Sequence, residues 1–389
     1  MVSRTRLLSA IAAAGALTVT TAGGAHAATG WQQEPVPVAA GNILALTRVA
    51  PHVSWAAGFQ LRQVGKSMVL NPVVLSRDDR DAGNGNDGHS TPGTGQWRQV
   101  PTPGDGLATR ANALAAHGAD DVWVVGDNDV ERTGAYGTPI FTEHWDGKAW
   151  RTVMVPTGPD VLSANLLGVS VLNQHDAWAV GIEQVVRGGE DQYPSIIEHW
   201  DGKAWQQTKL PVDAASLALM SVTATAPDDV WAVGSQNRQP VVLHYDGREW
   251  SMTPGLPTPE GGGEFNTVVA KGPHDVWAAG DAGRASGPLV AHYDGRTWTS
   301  VPAPGDGEIF AATQTPDGIA FVGNNRETGA PYGQVFNGRT WTDLAIPSQG
   351  LYSAQYGVLS EGGKLTVSGA YDTGEGQPKP LMISADVRN

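Results

Sequence analysis

Between residues 217 and 257 the chain sets short apolar runs against clusters of polar and turn-forming residues. Residues 217–224 form one run, and Val230-Trp231-Ala232-Val233-Gly234 a second. Residues 241–245 form a third, and a fourth opens at Trp250 and stops at Pro257. The breaks are Pro227-Asp228-Asp229, residues 235–238 and Asp246-Gly247. Apolar runs of this length, bounded by turn residues, predict strands. Asp-Gly is a strong hairpin signal, because a type I′ turn needs positive φ at both central positions. The pattern predicts four antiparallel strands, apolar on both faces, in a sheet sandwiched between similar sheets.

The same phrase recurs along the chain. Asp-x-Trp-x-x-Gly stands at residues 121–126, 176–181, 229–234 and 275–280. His-(Trp/Tyr)-Asp-Gly-(Lys/Arg)-x-Trp stands at 144–150, 199–205, 244–250 and 292–298, with a degenerate copy at 335–341. Each fourth strand pairs a Trp with a later Pro: Trp97/Pro103, Trp150/Pro156, Trp205/Pro211, Trp250/Pro257, Trp298/Pro304 and Trp341/Pro347, plus Trp31/Pro37. Second strands carry Trp55, Trp123, Trp178, Trp231, Trp277 and Phe321, and the remaining position falls at residues 365–369. Repeats of this period fix an architecture. The expectation is an all-β, seven-bladed β-propeller of four-stranded antiparallel blades. They run over about 38–103, 104–156, 157–211, 212–257, 258–304, 305–347 and 348–389. The two halves of the phrase are out of phase. That predicts closure by pairing residues 30–37, as a fourth strand, with a third strand at 381–387, which hides two sheet edges. The aromatics read as core and the Asp before each second-strand Trp as a backbone-capping turn residue. The His before each Asp-Gly reads as a cross-strand structural partner, not a metal ligand. Residues 77–96 replace the Asp-Gly turn of the first blade with an Asp-, Asn- and Gly-rich insertion, expected to be a surface loop.

The first residues predict a different fate. Arg4 and Arg6 precede an apolar stretch over 7–19 and a small-x-small site at Ala25-His26-Ala27. This is the pattern of a secretory signal peptide over residues 1–27, leaving a single propeller domain over 28–389. The apolar stretch is too short to span a bilayer. The expectation is an extracellular protein without membrane insertion. The chain of 389 residues contains no cysteine, which excludes disulfides, thiolate metal sites and a catalytic thiol. Its formal charge of −14 argues against nucleic acid as a partner.

The run Val230-Trp231-Ala232-Val233-Gly234 … His244-Tyr245-Asp246-Gly247 … Trp250 … Leu256-Pro257 resembles a kelch-type repeat. The kelch Gly-Gly is a single Gly here, at Gly126, Gly181, Gly234 and Gly280, and the link from Tyr-Asp to Trp is shorter. The chain is similar to kelch-like propellers of secreted bacterial proteins and to the central domain of galactose oxidase. The copper chemistry of that enzyme needs a Cys-linked Tyr, and the missing cysteine excludes it.

Candidate chemistry lies in the loops that vary. Three to six residues after the second-strand Gly stand Arg62, Arg132, Arg187, Arg238, Arg284 and Arg326. If they face the central channel, their planar forks suit a carboxylate, sulfate or phosphate. The alternative is solvated or ion-paired loop residues. No cofactor is expected, although in the insertion Asp79, Asp81, Asn84, Asn86 and Asp87 offer alternating oxygen donors that could hold calcium. A polar loop without metal is the alternative. No nucleophile motif, phosphate loop or zinc signature appears. The functional expectation is a monomeric, non-catalytic binding module for an extracellular glycan or protein. The alternative is a carbohydrate-active hydrolase or lyase, which buried carboxylates at the channel mouth would favour.

Overall fold

The computed structural model describes residues 30–79, 95–104, 109–128, 141–158, 160–283, 287–374 and 376–386. The expected signal peptide and most of the first-blade insertion lie outside them. Apart from one 3-10 turn at Ala214–Ser216, the described elements are strands. They build five four-stranded antiparallel sheets and one of nine strands. The strands of the first unit are Gly41–Ala50, Val53–Val64, Ser67–Asp78 and Arg98–Gln99. Those of the fourth are Leu217–Ala226, Asp229–Gln236, Gln239–Tyr245 and Trp250–Met252. The nine-stranded sheet holds the second and third units and a short extra strand, joined through the single pair Asn165–Asp127. The first strands of successive units lie against one another, as the inner strands of a propeller do.

Turn chemistry explains the regularity, with two corrections to the sequence reading. The expected type I′ turn is absent. In the second unit only Gly147 of the turn has positive φ, at 84°. Asp146 Oδ1 instead accepts the backbone N–H groups of Lys148 and Ala149 at 3.0 and 2.9 Å. Asp201, Asp246, Asp294 and Asn337 repeat this in the next four units. These backbone donors, Ala149 first and Lys148 next, hold the Asp146 carboxyl below the usual range. The glycine is required twice over. At Gly247 (φ 88°) a Cβ would lie 2.8 Å from the Cβ of Asp228.

The second correction concerns the Asp before each second-strand Trp. It does not cap its own backbone. Asp121, Asp176, Asp229 and Asp275 each place Oδ1 2.9 Å from Nε2 of His144, His199, His244 and His292. Each His stands opposite the Trp on the neighbouring strand, as in Trp231↔His244, and stacks on it at 4.0–4.5 Å between ring centroids. The carboxylate therefore fixes a ring that covers the indole. The other face of the indole meets the next unit: Trp123 packs on Trp200 and Trp205, and Trp231 on Tyr293 and Trp298. Such pairs add about 0.5–1.5 kcal/mol each beyond the burial of area.

The last sheet combines Tyr352–Glu361, Lys364–Asp372 and Lys379–Asp386 with Gln32–Gln33 from the other end of the chain. Gln32 pairs with Ser384 and Gln33 with Ile383, and Glu34 N donates to Met382 O. Trp31 Nε1 donates to Leu344 O of the sixth unit at 2.8 Å. The Glu34 carboxylate accepts from Arg77, from Trp97 Nε1 at 2.7 Å and from Lys364 Nζ at 2.6 Å. Burial pushes its pKa up, but Arg77 and Lys364 outweigh that and bring it down to about 2. Arg77 was expected to begin the insertion. It is a buried strand residue whose charge is met by Glu34 and Asp79.

Candidate functional site

The first strand of every unit carries a register shift at one position, between Ile43 and Ala45, Ala111 and Ala113, Phe265 and Thr267, and their counterparts. The second-strand Gly explains the tight approach there. A Cβ at Gly126 would lie 1.7 Å from Arg110 O, and at Gly280 2.1 Å from Glu264 O. Such a bulge leaves one residue out of the ladder. These residues are Leu44, Asn112, Leu167, Met220, Asn266, Phe310 and Tyr356, all half-buried. Asn112, Asn266 and Phe310 reach to the next unit. Asn112 Nδ2 donates to Asn165 Oδ1 and Leu166 O at 2.7 and 3.0 Å, and Asn266 Nδ2 to Ile309 O at 2.9 Å. Phe310 and Tyr356 meet with ring centroids 5.0 Å apart.

Two residues before each bulge, the first strand begins at the face where second strands turn into third strands. Arg110 stands there opposite Asp127, Glu264 opposite Asp281 and Glu308 opposite Asn324. Arg110 Nε donates to Asp127 at 3.0 Å, so this charge is met locally. The fifth and sixth units differ. Glu264, Asp281 and Glu308 bring carboxylate oxygens within 4.8 Å of one another, the one acidic group of this kind among the described residues. Arg326 enters it: Nε and Nη2 donate to Glu308 Oε2 at 3.1 and 2.9 Å, and Nη2 also donates to Asp281. Its loop is built to hold it. Asn325 Oδ1 accepts from Glu327 N and Thr328 N, Asn325 Nδ2 donates to Asp306 O, and Gly329 N donates to Asn325 O at 2.8 Å.

Burial raises the Glu308 pKa, with Arg326 pulling the other way and Asp281 and Glu264 adding to the rise. Burial lowers that of Arg326, but Glu308 and Asp281 outweigh it and move it up. Tyr352 accepts from Asn324 Nδ2, and its phenol is pushed up by burial, as is that of Tyr356. Glu308 contributes to both rises, which places it near both phenols.

Four of the six expected arginines fall among the described residues. Arg62 and Arg187 are exposed near the tips of the two longest hairpins, opposite Val69 and Glu190. Arg238 is exposed at a hairpin tip with φ 67°. Of these four, Arg326 joins the acidic group. Arg132 and Arg284 lie outside the described residues, as do Asp81, Asn84, Asn86 and Asp87. Asp79 is described and paired with Arg77 at 3.1 Å. Sequence reasoning missed Glu264, Asp281, Glu308 and Tyr352. The available signal was position: the residue after the second-strand Gly is Phe59, Ile182, Ser235, Asn324 or Ala370 in five units and an Asp in two, Asp127 facing Arg110 but Asp281 facing the like-charged Glu264.

A second carboxyl pair lies in the third unit. Glu198 is fully buried, faces Ala179, and neither of its oxygens has a hydrogen-bond partner among the described residues. The matching third-strand positions are Leu75, Leu243 and Ala291, with Glu143 in the second unit. Burial, and then the charge of Glu183, push the Glu198 pKa up to about 8.

No known family model matches the chain, and no curated protein matches its sequence. Solved structures do resemble it. It superposes on YCF48 bound to D1 peptide with TM-score 0.54 and 15% identity, covering 93% of this chain and 98% of that one. It superposes on the WD40 β-propeller domain of Doa1 with TM-score 0.51 and 10% identity, covering 92% and 97%. A GH74 xyloglucanase from Xanthomonas campestris gives TM-score 0.53 and 12% identity over 88% of this chain, which spans 53% of that enzyme. At these identities the likeness shows the β-propeller fold.

Proposed function

We propose that the chain is an exported seven-bladed propeller that binds a glycan or a protein segment at the channel mouth. Counting the second and third units separately, with the sheet completed by Gln32–Gln33, supports seven blades. The bonds of Trp31 and Glu34 to the sixth unit, the last sheet and the first unit support closure by the N-terminal strand. The leader pattern supports export, and the Trp–Gly–Tyr-Asp–Trp–Pro order supports a kelch-like relationship.

One observation carries the site: Arg326 is held rigidly by Glu308 and Asp281 at the start of the inner strands, beside Tyr352. Side chains locked by their own partners bind without losing much further freedom. Exposed Arg62, Arg187 and Arg238 would form outer contacts on the same face. The peptide-bound YCF48 structure fits this use of the fold.

A hydrolase is the second reading, favoured by three carboxylates within 4.8 Å and by the raised Glu308 pKa. Retaining glycosidases place two carboxyls about 5 Å apart, one of them a general acid. Here Arg326 bonds two of the three, which favours binding over proton transfer. The test is a glycan array and a peptide array probed with the mature chain and with Arg326→Gln/Tyr352→Phe. Retention that the double variant loses, without turnover, is expected. Retention unchanged in that variant would place the site elsewhere, and release of reducing ends would establish the hydrolase.

A further inference from the structure

We propose that the mouth between the fifth unit, the sixth unit and the last sheet takes an uncharged sugar ring. This rests on the mouth being the binding site and narrows what binds there.

The argument begins with unused donors. Arg326 Nε and Nη2 are bonded to Glu308 and Asp281, whereas Nη1 has no hydrogen bond among the described residues. The side chain is 50% exposed, and Nη1 carries two protons that its described neighbours do not use. Tyr352 adds another donor. Its hydroxyl oxygen accepts from Asn324 Nδ2, which leaves its own proton free to be donated. The loop from Asn325 to Ala330 is tied by its own hydrogen bonds, so these donors are set before a ligand arrives.

Charge then selects among ligands. Among the described residues Glu308 and Asp281 both bond Arg326, so its charge is already met and an incoming carboxylate, sulfate or phosphate would face those two carboxylates. A cation would compete for carboxylates that Arg326 already bridges. A ligand with hydroxyls satisfies both partners. A hydroxyl oxygen accepts from Nη1 or Tyr352, and its proton is donated to carboxylate lone pairs, in the short charge-assisted class of hydrogen bond. The two N–H groups of Nη1 can meet two neighbouring hydroxyls of one ring.

The floor provides the third element. Phe310 lies two residues beyond Glu308 on the same strand, and Tyr356 four beyond Tyr352. Their rings pair at 5.0 Å and 34°, half-buried, where bulges lift them out of the inner-strand ladders. An aromatic surface beside fixed donors and acceptors suits the C–H face of a pyranose whose hydroxyls are bonded at its rim.

The experiment is calorimetric titration of the mature chain with cello-, xylo-, manno- and malto-oligosaccharides and with oligogalacturonate, at low and high salt. At least one neutral sugar should bind with a Kd that salt leaves unchanged. Arg326→Lys keeps the charge and removes the fork, and should weaken binding about tenfold or more. Phe310→Ala should weaken it as well. If Arg326→Lys melts early, Tyr352→Phe keeps the ring, removes the donor and serves instead. Hydrolysis of a bound neutral sugar supports the assignment equally. Failure of every neutral sugar overturns it. Salt-sensitive binding of oligogalacturonate alone also overturns it: sensitivity to Arg326→Lys would leave the mouth as the site, and indifference would remove the mouth reading too.

Discussion

Glu198→Leu should stabilise the protein, and by an amount that depends on pH. Glu198 occupies a slot that holds Leu75, Leu243 or Ala291 in other units, and its oxygens have no hydrogen-bond partner among the described residues. The slot is fully buried, so ionisation there is opposed by desolvation first and by Glu183 next. In the unfolded chain the same carboxyl ionises near its ordinary value of 4.5, but in the fold only near about 8. A raised carboxyl pKa means that the folded state holds the proton longer. The contribution is therefore intact below about pH 4.5 and is lost as pH rises to about 8. At 1.36 kcal/mol per pKa unit, the full loss is roughly 3–5 kcal/mol, and about 3 of it is already present at neutral pH. Leucine removes the titration and fills the slot as Leu75 and Leu243 do in the first and fourth units. Urea unfolding of both proteins at about pH 5, 7 and 8 measures this. The wild type should weaken across that window while the variant stays level, so the difference grows with pH. An equal difference at all three values would refute ionisation as the cause, leaving packing alone. A variant no more stable at the alkaline end would refute the buried slot itself.

Glu34→Gln should cost about 2–4 kcal/mol, because Arg77 is left buried beside a neutral amide. The Glu34 pKa is depressed, so its contribution is present above about pH 4.5 and lost as pH falls towards about 2. An acid-unfolding midpoint that moves little in the variant would show that the ion pair is not responsible. Gly234→Ala should cost more than about 3 kcal/mol in thermal unfolding, since its Cβ would lie 1.9 Å from Ala218 O and the strand pair must part. Asn337→Asp should leave the melting temperature within about a degree or raise it, as it restores the residue that four other units use to cap this turn.

Much of the fold was legible because each unit declares itself locally. Trp, Gly, Asp-Gly and Pro recur at fixed offsets, because each unit repeats the same turns and the same strand contacts. Even so, local chemistry alone assigned the two Asp residues the wrong way round. Asp229 looked like a turn cap, but His244 stands across from Trp231 and draws its carboxylate over. Asp246 looked like half of a type I′ pair, but its side chain takes two backbone N–H groups and leaves positive φ to Gly247. The mouth was less legible for a related reason. Asp281, Glu308 and Arg326 belong to different units or strands, and only the circular arrangement brings them together. A scan for arginines by distance from the Gly found Arg326 without the acids that give it meaning.

The strand at Gln32–Gln33 also sets an order of events. It is among the first described residues to be synthesised, and its partners at Ser384 and Ile383 are among the last. Each sheet can form from neighbours along the chain, but this one must wait for a contact between residues more than 300 apart, such as Trp31 with Leu344. Contacts at such separation are slow to find, because the loop between them loses its freedom on closing. Until then the last sheet has a bare edge, and the waiting N-terminal segment could pair with the bare edge of another molecule. High protein concentration during refolding should therefore favour linked chains over single ones.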